Sequence, residues 1–174
     1  MRKQMKRVFV CLLAWVMIAS IMPVTSHAAS KKACVVTNQK QLEQALKSEK
    51  KDIQIKTSKK VKLTIPALKQ AKSASIMINA KNATVTNQAS LKSIVVKDAN
   101  AFVESGKKNE IRISDKKLSL TVAKQSTGSK IKVVAKSDLT VFGTTKVPIK
   151  ITVTAKNTVI KAKAAIDVTL NANT

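Results

Sequence analysis

Few residues in this chain are of a type that does chemistry, and their spacing limits what that chemistry can be. Asp98 and Asp115 stand 17 positions apart, with Arg112 three positions before Asp115. Two carboxylates are a start on a calcium site, but Ca²⁺ takes about six to eight oxygens, several of them from carboxylates. Lys97, Lys116 and Lys117 flank the pair, so both aspartates read as surface charges paired locally. Nucleophilic hydrolysis needs a base to activate Ser or Cys, and the single His, His27, falls in a segment read below as a leader. Zinc is implausible for the same reason, since Cys34 is then the one cysteine left. The expectation is no catalytic residue, no metal and no cofactor.

Lysine is what remains. The 174 residues carry 33 Lys and Arg against nine Asp and Glu, a formal net charge of +24. Lysines often come in pairs: Lys50-Lys51, Lys59-Lys60, Lys107-Lys108 and Lys116-Lys117. A solvated, aggregation-resistant surface is the ordinary meaning of such charge, but about 2–8 net charges suffice for that in a small domain. The excess points to contact with a polyanion, binding that is multivalent and salt-dependent. Lys56, Lys59, Lys60, Lys62, Lys107, Lys108, Lys116, Lys117 and Lys132 are the candidate anion-binding surface. Lysine rather than arginine argues against bidentate, geometry-specific recognition. A stacking platform for sugars or single-stranded nucleic acid lacks its rings, because only Phe102 and Phe142 follow the leader. Duplex DNA would be held as a polyanion without base reading, so no specific nucleic acid is expected. Thr84-Val85-Thr86 and Thr152-Val153-Thr154 resemble the ladders of ice-binding solenoids, but they fall in different strand columns, and the β-propensity of Thr accounts for them.

The first 28 residues have the tripartite form of a secretory signal peptide: Arg2, Lys3, Lys6 and Arg7, then an apolar run over 8–24, then Ser26-His27-Ala28. The run is short for a spanning helix. Cleavage after Ala28 would leave 29 basic and nine acidic residues, a net +20, with one Cys and no Trp, Tyr or His. No second hydrophobic segment follows, so the expected location is extracellular or cell-wall associated, with no transmembrane segment after cleavage. One cysteine makes no internal disulfide, and stability must come from burial. Cys34 reads as a small apolar residue in a strand.

The elements that position these charges repeat. An aliphatic-x-aliphatic core recurs at Ile53-Gln54-Ile55, Ile76-Met77-Ile78, Ile94-Val95-Val96, Ile111-Arg112-Ile113, Ile131-Lys132-Val133, Ile151-Thr152-Val153 and Val168-Thr169-Leu170. Successive starts lie 23, 18, 17, 20, 20 and 17 residues apart. A second strand-like run follows each of the first six, at 61–66, 83–87, 101–104, 118–122, 139–142 and 158–162. Short polar links such as Lys81-Asn82, Lys116-Lys117, Ser137-Asp138 and Lys156-Asn157 separate the two. Such periodicity marks a solenoid, whose repeats bury their apolar faces on one another. With no helix between strands, an α/β sheet is excluded; antiparallel hairpins would want Asn-Gly or Asp-Gly turns, which are missing. Ahead of the repeats, Asn38 can cap a helix that carries Gln41 at its third position and Leu42, Ala45 and Leu46 on one face. The expected fold is all-β, a single-stranded parallel β-helix of about six or seven coils with an N-terminal capping helix. Residues 1–28 are the signal, 29–52 the first strand and capping helix, and 53–174 the solenoid.

The strand at 33–37, the segment Asn38-Gln39-Lys40-Gln41-Leu42-Glu43-Gln44-Ala45-Leu46 and the run Asp52-Ile53-Gln54-Ile55 resemble the cap and first coil of right-handed parallel β-helix proteins of the pectate-lyase-like superfamily. The chain also resembles short, Lys-rich secreted β-helix proteins of Gram-positive bacteria. The resemblance implies right-handed coiling and, in catalytic members, acidic residues on one sheet with Ca²⁺ beside an Arg or Lys base acting on an acidic glycan. Asp98, Asp115 and Arg112 match that only in part. The expected function is therefore non-enzymatic binding of an anionic polysaccharide or wall polymer such as teichoic acid. A structural, self-associating surface protein that pairs end to end is the alternative, and a polysaccharide lyase is a distant third.

Overall fold

The computed structural model describes residues 33–144 and 147–171; the segment read as a signal peptide, 1–28, lies outside them. The expected helix is present as α1 (Gln39–Lys47), with Leu42, Ala45 and Leu46 buried. Asn38 Oδ1 accepts from the Gln41 N–H at 3.0 Å. Gln41 Oε1 in turn accepts from the Thr37 N–H at 2.8 Å, one residue further out than a standard capping box, so two donors at the helix entry are satisfied.

Twelve strands are seen among the described residues: β1 (Cys34–Val36), β2 (Asp52–Lys56), β3 (Lys62–Ile65), β4 (Ser75–Asn87), β5 (Ser93–Glu104), β6 (Glu110–Ile113), β7 (Lys117–Val122), β8 (Lys130–Val133), β9 (Asp138–Gly143), β10 (Ile149–Val153), β11 (Val159–Lys163) and β12 (Ile166–Leu170). They form two ladders. One runs β1-β2-β4-β5-β6-β8-β10-β12; the other joins β3, β4, β5, β7, β9 and β11. All strand pairs among the described residues are parallel, which disposes of antiparallel hairpins. The chain visits the two ladders alternately, an arrangement consistent with a β-solenoid.

The aliphatic triplets stack in register. Ile53, Ile76, Ile94, Ile111, Ile131, Ile151 and Val168 align, as do Ile55, Ile78, Val96, Ile113, Val133, Val153 and Leu170. Every one of these is buried except Val168 and Leu170 of β12, which are 38% and 73% exposed. In the second ladder Leu63, Val85, Phe102, Leu120, Val141 and Ala162 align. Burial of a branched side chain contributes about 1.5–3 kcal/mol, so each strand is stable only through its neighbours in the stack. Phe102 is thereby a core residue, whereas Phe142 is half-buried with Lys163 Nζ 5.3 Å from its ring centroid.

Two departures from the sequence expectation have physical causes. Lys81-Asn82 does not end a strand: β4 runs through it, and the corner is made by register shifts between Ile78 and Asn79 and between Ala80 and Thr84. Both corner residues are exposed, and the pairing to β5 skips residues 81–83 while the backbone stays extended. A 3₁₀ turn at Lys69–Ser73 lies between β3 and β4, with Ala71 fully buried. It accounts for the long first interval of 23 residues and packs beside α1.

α1 covers one end of the second ladder, where β3 has β4 on one side only. Gln39 serves as a surrogate strand: its Oε1 accepts from the Thr64 N–H at 2.8 Å, and its Nε2 donates to the Thr64 carbonyl at 2.9 Å. A side-chain amide thus satisfies the edge that an unpaired strand would expose.

Candidate anion-binding surface and the buried carboxylates

The corners and turns position the candidate lysines. Lys56 ends β2, Lys59 and Lys60 lie in the following loop, and Lys62 opens β3. Lys107 and Lys108 form the turn between β5 and β6, where Lys108 takes a left-handed φ of 56°. Lys116 and Lys117 sit where β6 leads into β7. All eight are exposed, while Lys132, on β8, is half-buried. In register, Lys132 lies between Arg112 and Thr152, so two cations are neighbours on one outward face. These positions lie at the corner between β2 and β3, the turn between β5 and β6, the corner between β6 and β7, and on β8. The ion pair within 4 Å among the described residues is Lys161 with Asp138, at 3.4 Å between exposed groups, and it involves none of the candidates.

Asp115 is not the surface charge expected. It is 4% exposed, its Oδ2 accepting from the Ala99 N–H at 2.7 Å and its Oδ1 from the Lys117 N–H at 3.1 Å. It therefore staples one corner to the strand beneath, in the manner of an Asx turn. Burial is the main cause that raises its carboxyl above the ordinary range, and the nearby charge of Asp98 pushes the same way. Asp98 and Asp115 are thus close, as their spacing implied, but Asp115 spends its oxygens on backbone, and exposed Arg112 is not within ion-pair distance of either. Among the described residues no three His, Cys, Asp or Glu side chains are grouped to hold a metal ion.

Sequence reading missed a second buried carboxylate. Asn87 and Glu104 are partners in the β4–β5 register, in the inward column that also contains Ile65 and Val122. Both are fully buried. Glu104 Oε2 accepts from Asn87 Nδ2 at 3.0 Å, and its Oε1 from Asn109 Nδ2 at 2.7 Å and Ser129 Oγ at 3.5 Å. The Gly106 N–H donates as well. Asn87 and Asn109 also donate to the Ala89 carbonyl, each at 3.0 Å, and Asn109 Oδ1 accepts from the Leu91 N–H at 2.7 Å. The knot ties successive turns between the second ladder and the first. Burial raises the Glu104 carboxyl above its ordinary value, and the four donors offset part of that rise. Period-two alternation from Phe102 places Glu104 inward, which was the signal available in the sequence. Such a site is closed to solvent and its lone pairs are engaged, so it is a structural element.

Cys34 is a free thiol, half-buried against the core. Comparison with family models, with curated proteins and with solved structures finds no match for this chain.

Proposed function

We propose that this chain is a secreted, non-enzymatic β-solenoid of the right-handed pectate-lyase-like kind, which binds anionic cell-surface or extracellular polymers through its lysine exterior. The signal-like first 28 residues support the location, and the alternating parallel ladders support the fold. One observation carries the binding reading: eight of the nine candidate lysines are exposed and none is engaged in the ion pair found among the described residues. Ammonium groups left unneutralised along a regular ladder suit a polymer whose negative charges also repeat. Teichoic acids and acidic glycans have that chemistry, and the affinity comes from counterion release rather than from a shaped pocket.

Co-sedimentation with isolated cell walls over a salt series tests this. Binding should be strong at low salt and lost by 0.5 M, where the Debye length is about 4 Å. Binding that persists at 0.5 M salt overturns it. A second reading, self-association, has its own observation: Val168 and Leu170 occupy core columns yet are exposed, and β12 has a ladder partner on one side only. Sizing against concentration separates the two, since an oligomer with no wall binding favours self-association. A polyuronate cleavage assay with Ca²⁺ decides the enzymatic alternative.

A further inference from the structure

Between the two ladders the chain turns three times in close succession, from β6 to β7, from β8 to β9 and from β10 to β11. An open groove of about 580 Å³ lies there, lined by Ser114, Lys116, Lys136, Ser137, Asp138 and Asn157 among others. Two of its lining groups are anomalous. Ser137 is 2% exposed and its Oγ has no hydrogen-bond partner among the described residues; the Asp138 side chain is 41% exposed, but its Oδ1 is buried and unpartnered there too. The other oxygen of Asp138 is accounted for, since Oδ2 holds Lys161 Nζ at 3.4 Å. Buried polar atoms without partners are rare in folded proteins, and each calls for an explanation.

The lining restricts what the groove accepts. An ionised carboxylate only accepts hydrogen bonds, so whatever meets Asp138 Oδ1 must donate. A sulfate anion, which carries no proton at neutral pH, does not meet that requirement. Lys116 and Lys136 only donate, and they favour negative charge. Ser137 does either. A single ligand that satisfies all of them has a hydroxyl next to an anionic group. We propose that this groove binds one anionic polyol or sugar unit, with a ligand hydroxyl donating to Asp138 Oδ1 and the phosphate or carboxylate facing Lys116 and Lys136. The inference rests on the reading of the exterior as a receptor for a hydroxylated polyanion, and adds to that diffuse surface one shaped subsite.

Titration calorimetry of the intact protein tests it, with sn-glycerol 3-phosphate, methyl β-glucuronide, glycerol and sulfate as probes. At least one of the first two should bind about tenfold more tightly than glycerol or sulfate, which each lack one half of the match. Which of the two binds distinguishes a polyol phosphate source from an acidic glycan. Ser137→Ala and Asp138→Asn should each weaken that binding about tenfold. Asp138→Asn also removes a negative charge, so wall binding through the lysines should hold or strengthen while the small ligand is lost. Opposite movements of the two readouts are the signature of the groove. Should a variant fail to fold, amide shifts in the wild type decide the matter: residues 135–138 and 157 should move with the ligand. Sulfate binding as tightly as the preferred hydroxylated anion, shifts confined to other residues, or no binding by either hydroxylated anion overturns the subsite. Salt-sensitive wall binding would then still stand, so the two proposals fail separately.

Discussion

Glu104→Gln puts two opposed effects in one residue. The substitution removes a charge from a fully buried site, which favours the variant. It also replaces an acceptor by an NH₂ donor in a cradle composed of donors: Asn87 Nδ2, Asn109 Nδ2, the Gly106 N–H and Ser129 Oγ. If the amide takes the Oε1 position, the Ser129 hydroxyl can turn to accept, but the Asn109 N–H now faces another donor. If it takes the Oε2 position, Asn87 loses its acceptor instead. Either way at least one buried N–H is orphaned, at about 1–3 kcal/mol, and charge-assisted bonds of about 1.5–3 kcal/mol become neutral ones. The four donors already offset part of the cost of burying the charge, so the relief is partial and the losses are expected to exceed it. Glu104→Gln should therefore be less stable at pH 7 by about 2 kcal/mol, read from urea midpoints at constant slope. A pH series adds a second handle. Folding holds Glu104 and Asp115 above their ordinary values, so the folded protein takes up protons first as pH falls. Their contribution is fully present below the unfolded values and is lost as pH rises through the folded ones. Wild-type stability should accordingly rise as pH falls through the folded values toward the ordinary carboxylate range, and the rise should be smaller in Glu104→Gln. A variant as stable as wild type at pH 7, or identical pH slopes, refutes the reasoning.

Gly106→Ala should destabilise by about 3 kcal/mol, because an added Cβ would collide with the Ala89 carbonyl and lie 2.6 Å from Asn109 Nδ2 and 2.8 Å from Asn87 Nδ2; thermal melting checks it, and an unshifted midpoint means the knot gives way freely. Gln39→Ala unpairs both backbone groups of Thr64 and should cost about 1–2 kcal/mol, with faster hydrogen exchange at the Thr64 amide; unchanged protection there would show that the edge is covered by other means. Ile113→Lys places a charge in a fully buried column between Val96 and Val133, and loss of the cooperative melt by circular dichroism is expected; melting with wild type would mean that the register is wrong.

Much of the fold was legible because the solenoid pattern is written in side-chain type. Ile53, Ile76, Ile94, Ile111, Ile131 and Ile151 announced their column by recurrence, and the structure places them in one register. α1 was legible from Asn38 and the spacing of Leu42, Ala45 and Leu46. What escaped was set by tertiary burial. Asp115, between lysines in sequence, looks like a solvated charge, and only the strand beneath supplies the Ala99 N–H that draws it inward. Glu104 stood at an inward position by alternation, but a carboxylate there is costly unless donors meet it, and those donors come from three separate turns. At Lys81-Asn82 the polar pair does mark the corner where pairing lapses, but the backbone stays extended through it, which composition does not reveal. The groove beside Ser137 was beyond reach, since its walls lie about one period apart along the chain.

These burials change what the composition means for the exterior. Of nine acidic residues, Glu104 and Asp115 are enclosed and hydrogen-bonded, and Asp138 is held by Lys161. Their charges still enter the far field, but the oxygens of the two enclosed carboxylates are unavailable to neutralise an ammonium group at contact. The lysines thus face solvent with fewer competing partners than a count of charges implies. A polymer approaching them displaces small counterions rather than protein carboxylates, the condition under which binding falls steeply with salt. Asp115, one of the two aspartates weighed for chemistry, helps hold a corner in place through the Ala99 and Lys117 N–H groups. It thereby fixes where the adjacent Lys116 and Lys117 are presented.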